Sequence, residues 1–364
     1  SSLGEFYQLK PIIEGLKVVD KDIINIVSFS SPSGYKNAKS DALNLKFYIP
    51  IDFFWINSKI LKVIRPRKII FVAYDLWPNL IWMAKKYKIH ISVFALHFKK
   101  NHLKSKPVIK NFYKSLYGSL NAIYTVNEKD KNTVRNIIGK SKKTIIKTFG
   151  NPRFDMVIND LKLIDPQVPE SILERGKRII VGSTHPEDDS MIIPALSRLV
   201  KNIIDLKIIY VPHEPKKNII DKINSDYKNL CHDPIIINTI QNGELPDNKI
   251  IIVNSVGLLA KLYWFGKIAF IGGGMSTGIH NIMEPAVAGL PVLFGPKYGH
   301  APEARELINA GGGFCVHTGK EFEDTVIELF KKSKKMKTAS IAAKKLIYDD
   351  SGSSNSIING IIND

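Results

Sequence analysis

The sequence predicts an α/β protein made of two doubly wound parallel-sheet domains of similar size facing a cleft. Three observations carry this. Short β-branched runs alternate with longer amphipathic segments from end to end, the pattern of repeated βα units with helices on both sheet faces. The 364 residues suffice for two cores, since one compact domain takes about 100 to 200. A polar stretch between Gly150 and Lys177, with Pro152, Pro166 and Pro169, divides the chain.

Taken in order, the strand signals of the first half are Ile23–Phe29, Leu45–Tyr48, Lys68–Ala73, Ile89–Phe94, Ala122–Val126 and Thr144–Thr148. Those of the second half are Arg178–Val181, Leu206–Val211, Pro234–Asn238, Lys249–Val253, Lys267–Ile271, Pro291–Phe294 and Gly313–Val316. Helical periodicity fills the gaps, for example over Phe6–Val18, Trp77–Tyr87, Glu128–Ile138, Met191–Asn202, Val256–Phe265 and Ile279–Ala288. The domains so delimited are 1–150 and 151–364. The stretch 256–273 comes nearest to a membrane span, but Lys261 and Lys267 interrupt it. No signal-peptide pattern is present, and the chain opens without Met, so a preceding piece is expected.

Apolar residues make up 44% and charged residues 24%, which excludes a collagen-like or broadly disordered chain. Cys231 and Cys315 offer no zinc spacing and no disulfide framework; they suit a reducing compartment and read as core filler. The formal net charge is +18, and all of the excess lies in the first half. Residues 1–150 hold 27 Lys/Arg against 9 Asp/Glu, whereas 151–364 hold 25 of each. No acidic residue occurs between Asp75 and Glu128, where Lys85, Lys86, Lys88, Lys99, Lys100, Lys104, Lys106, Lys110 and Lys114 accumulate. Such a patch attracts polyanions, whether nucleic acid, phosphorylated lipid or an anionic membrane, although a lysine-rich solvated surface has the same composition. Trp77, Trp82 and Tyr87 recur at helical spacing, which fits packing better than a base-stacking platform and argues against nucleic acid.

Ligands of doubly wound sheets bind at the carboxyl ends of strands, so the residues there carry the chemistry. Gly182-Ser183-Thr184-His185-Pro186 runs from a strand into a helix and suits an anion, though Ser183 or Thr184 is equally a helix cap. Pro212-His213-Glu214 ends another strand. The densest segment is Gly272-Gly273-Gly274 followed by Gly278-Ile279-His280-Asn281 and Glu284-Pro285. Three glycines let a phosphate approach backbone, and Asn281 and Glu284, three apart on a helix, place an amide and a carboxylate side by side. Glu284 is also a first-turn acid favoured by the helix dipole. Neither the Gly-x-Gly-x-x-Gly fingerprint nor a Walker A loop is present. In the first half, Glu5 at a helix start suits a general base, and Asp75 stands at a strand end before Trp77-Pro78-Asn79.

Together these pieces resemble the bacterial Kdo transferases, which attach 3-deoxy-D-manno-octulosonic acid (Kdo) to a lipid A precursor. The matching segments are Ser2-Leu3-Gly4-Glu5-Phe6, Asp75-Leu76-Trp77-Pro78-Asn79, Gly150-Asn151-Pro152-Arg153-Phe154-Asp155, Gly182-Ser183-Thr184-His185, Pro212-His213-Glu214 and Gly272 to Pro296, in family order across nearly the whole chain. The resemblance implies a GT-B glycosyltransferase with two Rossmann-like domains, the second binding the donor CMP-Kdo and the first the acceptor. It implies no metal and no cofactor, and a membrane anchor and first strand ahead of Ser1. The last helices would pack back on the first domain.

Carried over residue by residue, Glu5 is the catalytic base. Ser183, Thr184, Pro212 and His213 match donor-contact segments, and Asn281 and Glu284 nucleotide contacts, the last at the ribose; the physical reading adds His185, the N–H groups of Gly272, Gly273 and Gly274, and His280 at the donor's phosphate. The lysine-rich stretch then gains a purpose, with Asp75, Lys99, Lys100 and Lys104 expected to face the acceptor and the cytoplasmic leaflet of the inner membrane. Three departures stand out. Pro212-His213-Glu214 lacks the Arg common at that turn, Gly257-Leu258-Leu259 lacks a Glu, and Ala95-Leu96-His97-Phe98 replaces an Asn-x-Arg. A GT-B transferase using a UDP- or GDP-sugar, or a basic nucleic-acid binder, are the alternatives.

Overall fold

The computed structural model describes residues 3–98, 107–139, 143–161, 169–240, 245–299, 301–349 and 351–364. The chain forms two compact units: one runs to Asn159 and takes in the C-terminal helix, and the other spans 160–349.

The first unit contains α1 (Leu3–Val19), β1 (Ile26–Phe29), α2 (Pro32–Asn37), β2 (Leu45–Tyr48), α3 (Phe54–Ile64), β3 (Lys68–Val72), α4 (Pro78–Lys86), β4 (His90–Leu96), α5 (Pro107–Tyr117), β5 (Ala122–Thr125), α6 (Glu128–Ile138), β6 (Ile145–Thr148) and α7 (Arg153–Leu161). Strands β1 and β2 form a parallel pair, and β3 to β6 a parallel sheet in sequence order. Alternation along the strands builds two cores, one on each face. Phe94 and Tyr124 join Phe6, Ile12 and Phe29 on one side. Val93 and Ile123 join Ile81, Ile91 and Val134 on the other. Both faces of β4 are therefore buried, which is why it reads as an almost unbroken apolar run.

The second unit contains β7 (Arg178–Thr184), α8 (Pro186–Asn202), β8 (Lys207–Pro212), α9 (Lys217–Asn229), β9 (Ile235–Ile237), β10 (Ile250–Val253), α10 (Leu259–Leu262) continued by a 3-10 turn at Tyr263–Phe265, β11 (Ile268–Ile271), α11 (Met283–Val287), β12 (Val292–Phe294), α12 (Pro302–Ala310), β13 (Gly313–Cys315), α13 (Gly319–Lys331) and α14 (Ser333–Asp349). All seven strands are parallel, in the order β13-β12-β11-β7-β8-β10-β9. The chain enters at β7, builds outward through β8, then crosses to β11 and builds the other way. The chain's direction of building switches between β7 and β11, and doubly wound sheets bind ligands in the crevice at the carboxyl ends of the strands at such a point.

Two helices are shorter than their periodicity suggests. The one expected over Val256–Phe265 begins only at Leu259, because Gly257 at φ 93° cannot join a helix. The one expected over Ile279–Ala288 is α11 alone: Gly278 has φ 129°, and the Asn281 side chain accepts the Met283 N–H at 3.1 Å and starts the helix there. Cys231 is no core filler either; it is exposed in a left-handed turn after α9. Among the described residues no helix is long and apolar enough to cross a membrane.

The last helix, α15 (Ser353–Asn363), belongs to the first unit. Its Ile357, Ile358 and Ile361 are buried in the core that holds Phe6, Ile12 and Tyr124. Its start is clasped by Asp155 of α7, whose carboxylate accepts the Gly352 and Ser354 N–H groups at 2.6 Å each. At the other end Lys68 donates to the Ile361 carbonyl and Lys147 pairs with Asp364 at 2.8 Å. Negative charge at the N-terminus and positive at the C-terminus both complement the helix dipole. Asp155→Ala should lower the unfolding free energy in urea by about 2 kcal/mol, the cost of two charge-assisted cap bonds. The amide protons of α15 should lose exchange protection first.

Candidate functional site

The crevice of the second unit is built from three strand ends. At the end of β7, Ser183 adopts φ 55°, and the pairing with β8 slips between Gly182 and Thr184. This bulge buries Thr184, at 3% exposure, and leaves His185 half-buried at the start of α8, where Pro186 takes the first helical position. At the end of β8, Pro212 is buried, and His213 is exposed and donates its N–H to the Thr184 carbonyl at 3.1 Å. The loop after β11 supplies His280, whose N–H goes to the Gly272 carbonyl at 3.1 Å.

These three histidines converge. His185 and His280 share an Nε2···Nε2 hydrogen bond of 2.8 Å with ring planes 9° apart, so they lie nearly edge to edge. His213 stacks on His280 with centroids 4.1 Å apart. Although His213 is exposed, partial desolvation by its neighbours, with a smaller contribution from His185 and against the pull of Glu214, holds its pKa below the usual value.

Asp188 fixes the arrangement. Fully buried in the first turn of α8, its carboxylate accepts the His185 N–H at 3.0 Å, the Gly273 N–H at 2.7 Å and the Met275 N–H at 3.2 Å. One side chain thus ties the helix start to the glycine turn. The glycines are demanded by this packing. A Cβ on Gly272 would lie 2.4 Å from the Ser183 carbonyl oxygen, and one on Gly274 2.5 Å from the Gly295 nitrogen, both backbone atoms. Gly273 has φ 86°. The sequence expectation that the run's N–H groups face a phosphate is corrected for two of them, since the Gly272 N–H is spent on Gly182 and the Gly273 N–H on Asp188.

Asn281 and Glu284 are brought together, though not as two residues of one helix. Asn281 precedes α11 and donates to Glu284 Oε1 at 2.8 Å, which presents a paired amide and carboxylate, both half-buried, beside the histidines' loop. His280 stands two residues before the α11 cap, so no helix start lies at its ring. Asp188 was not singled out in the sequence, although an acid two residues after a Pro at the first helical position is the signature of a helix N-terminus.

In the first unit Glu5 occupies the first turn of α1 and is half-buried. The Asp75 carboxylate accepts the Trp77 indole N–H at 2.9 Å, so it orders its own strand end. Pro78 takes the first position of α4, as its place in the sequence suggests, and the cap comes from Asp52, which accepts the Asn79 and Leu80 N–H groups at 2.9 and 3.0 Å. Lys99, Lys100 and Lys104 lie outside the described residues.

Residues 1–156 match the family model described as 3-deoxy-D-manno-octulosonic-acid transferase (kdotransferase). The chain is also 28% identical over 342 residues to the 3-deoxy-D-manno-octulosonic acid transferase of Aquifex aeolicus, covering 93% of this chain and 86% of that one. The chain is similar to the Kdo transferases. The Rickettsia prowazekii transferase is 23% identical, over 93% of this chain and 72% of its own length. A bifunctional glycosyltransferase/methyltransferase of Fusobacterium nucleatum is 26% identical over 88% of this chain, which spans half of it. Among solved structures, UDP-GlcNAc 2-epimerase from Neisseria meningitidis superposes with a TM-score of 0.68 at 14% identity, covering all of this chain and 98% of that one. It shares the fold, GT-B with two Rossmann-like domains. The segments that carry the Kdo-transferase resemblance in the second unit thus gather around one crevice.

Asp188→Ala should cost about 3 kcal/mol or more in urea unfolding, because it strands three backbone N–H groups. Asp188→Asn should cost less and weaken the His185–His280 contact, seen as separate imidazole resonances.

Proposed function

We propose that this protein transfers Kdo from CMP-Kdo to a lipid A precursor in lipopolysaccharide synthesis, with inversion at the anomeric carbon and with neither cofactor nor metal in the transfer step. The observation that carries the reading is the crevice between β7 and β11, where the residues matching donor-contact segments meet: Ser183, Thr184 and His185, then Pro212 and His213, then Gly272 to Gly274 with His280, Asn281 and Glu284. The family match of the first unit and the named relatives support it.

In this reading the Asn281–Glu284 pair grips the ribose hydroxyls, and the histidine cluster meets the donor's phosphate and carboxylate. An acceptor hydroxyl attacks the anomeric carbon, its proton passes to Glu5, and the bond to the CMP phosphate breaks. A placed carboxylate base contributes about 10²- to 10⁴-fold in rate. The direct test incubates the protein with CMP-Kdo and a tetraacylated lipid A precursor and reads the product mass. Protection from proteolysis by UDP or GDP and not CMP would assign another donor. Glu5→Gln should lower turnover at least about 100-fold while leaving CMP-Kdo affinity nearly unchanged; full turnover in that variant removes Glu5 from the step.

The acceptor side has a surface suited to a bilayer. Ile51, Phe53, Phe54 and Trp55 are exposed at the start of α3, with Phe53 and Trp55 stacked at 4.7 Å, on the unit that holds the excess positive charge. Aromatic tips and lysines are the pairing by which peripheral proteins sit on anionic lipid. We expect this unit to rest on the cytoplasmic face of the inner membrane. Replacing Lys99, Lys100 and Lys104 by Gln, or Phe54 and Trp55 by Ser, should each weaken binding to phosphatidylglycerol vesicles about tenfold at low salt, read by co-sedimentation. Only the lysine set should lose its effect at high salt.

A further inference from the structure

We propose that His185, His213 and His280 form a binding site for one divalent transition-metal ion, Zn²⁺ in first place. The three side chains come from three separate positions, the ends of β7 and β8 and the loop after β11, and each has a ligand nitrogen within 4.8 Å of the other two. Among the described residues theirs is the cluster of metal-ligating side chains of this size. Their backbones are tied to one another: His185 to Asp188, Asp188 to Gly273, His213 to Thr184, and His280 to Gly272. The convergence is therefore a property of the sheet's switch point and not of three loose side chains.

Tetrahedral Zn²⁺ holds imidazole nitrogens at about 2.0–2.1 Å, which sets them about 3.3–3.4 Å apart. The His185–His280 pair at 2.8 Å has to open by about half an ångström, and His213 has to swing inward, both within the reach of side-chain rotation. In the ion's absence one ring of the pair donates Nε2–H to the other. On binding, the donating ring shifts that proton to Nδ1, which frees its Nε2 lone pair for the ion. His213 is exposed, which leaves the fourth position open to water or to an anionic oxygen. An all-imidazole set with an open position suits Zn²⁺, Cu²⁺ or Ni²⁺ and disfavours Mg²⁺ and Ca²⁺, which require oxygen ligands. This departs from the sequence expectation of no metal. The ion needs only residues of the second unit, and it competes with the donor's phosphate for the place proposed above, so the transfer step uses the metal-free cluster.

The test uses the untagged, metal-stripped full chain and no nucleotide. Isothermal titration with Zn²⁺ should show saturable binding of one ion per chain, and Co²⁺ should give the visible absorption of a tetrahedral site. His213→Gln and His280→Gln should each weaken Zn²⁺ binding at least about tenfold. His232→Gln and Cys315→Ser, which lie outside the cluster, should leave it unchanged. Absence of saturable binding, loss on changing His232 or Cys315, or retention in either cluster variant overturns the site. His213 is exposed, so His213→Gln keeps its fold and carries the test even where His280→Gln does not. Transfer from CMP-Kdo by a chain that binds no Zn²⁺ refutes the metal site alone; Zn²⁺ binding by a chain that transfers no Kdo when metal-free refutes the activity alone.

Discussion

The second unit turns on a buried carboxylate that spends its charge on backbone. Among the described residues, three N–H groups, two from the loop after β11 and one from the start of α8, satisfy Asp188. A charge buried in this way is tolerated only while all its donors stay in place, since each one lost leaves the others holding a desolvated anion. The loop and the helix start are consequently locked together. The neighbouring Asp189 is used differently: it accepts the Tyr210 hydroxyl at 2.5 Å within the core, and burial pushes its pKa up. Two consecutive carboxylates thus brace the sheet's switch point from above and from within.

This bracing explains why the crevice tolerates backbone that elsewhere would relax. Ser183 at φ 55° carries a side chain in a region few such residues adopt, at a cost of order 1 kcal/mol or more. Ala95 at the end of β4 in the first unit does the same at φ 54°, again where the strand pairing slips. Each slip turns the residues that follow away from the pleat. At β7 the result is a half-buried histidine just beyond the strand's carboxyl end.

The strands were legible because both faces of a parallel sheet are buried, and runs such as Ile250–Val253 and Ile268–Ile271 then carry no polar interruption. All the expected strands occur, with ends displaced by up to three residues. Helices were less legible where backbone geometry overrode periodicity: the apolar residues around Gly257 and Gly278 repeat as in a helix, but positive φ angles interrupt them. Within the site, the residues at strand ends could be named from position alone. What they do with one another could not. Nothing in the spacing of His185, His213 and His280 announces that they touch, because the contact depends on strand order, and β8 and β11 flank β7 only after the chain has crossed over. The motif Asn151-Pro152-Arg153-Phe154-Asp155 carried resemblance without a visible reason; its acid proves to clasp a helix 197 residues away in sequence.

That clasp makes the first unit discontinuous. Its aromatic core around Phe6 and Tyr124 closes only when Ile357, Ile358 and Ile361 arrive, and these emerge from the ribosome after every strand of the second unit. During synthesis the N-terminal half therefore waits with one flank open while its successor is completed, and shortening the chain by its final dozen residues would injure the half farthest from the cut.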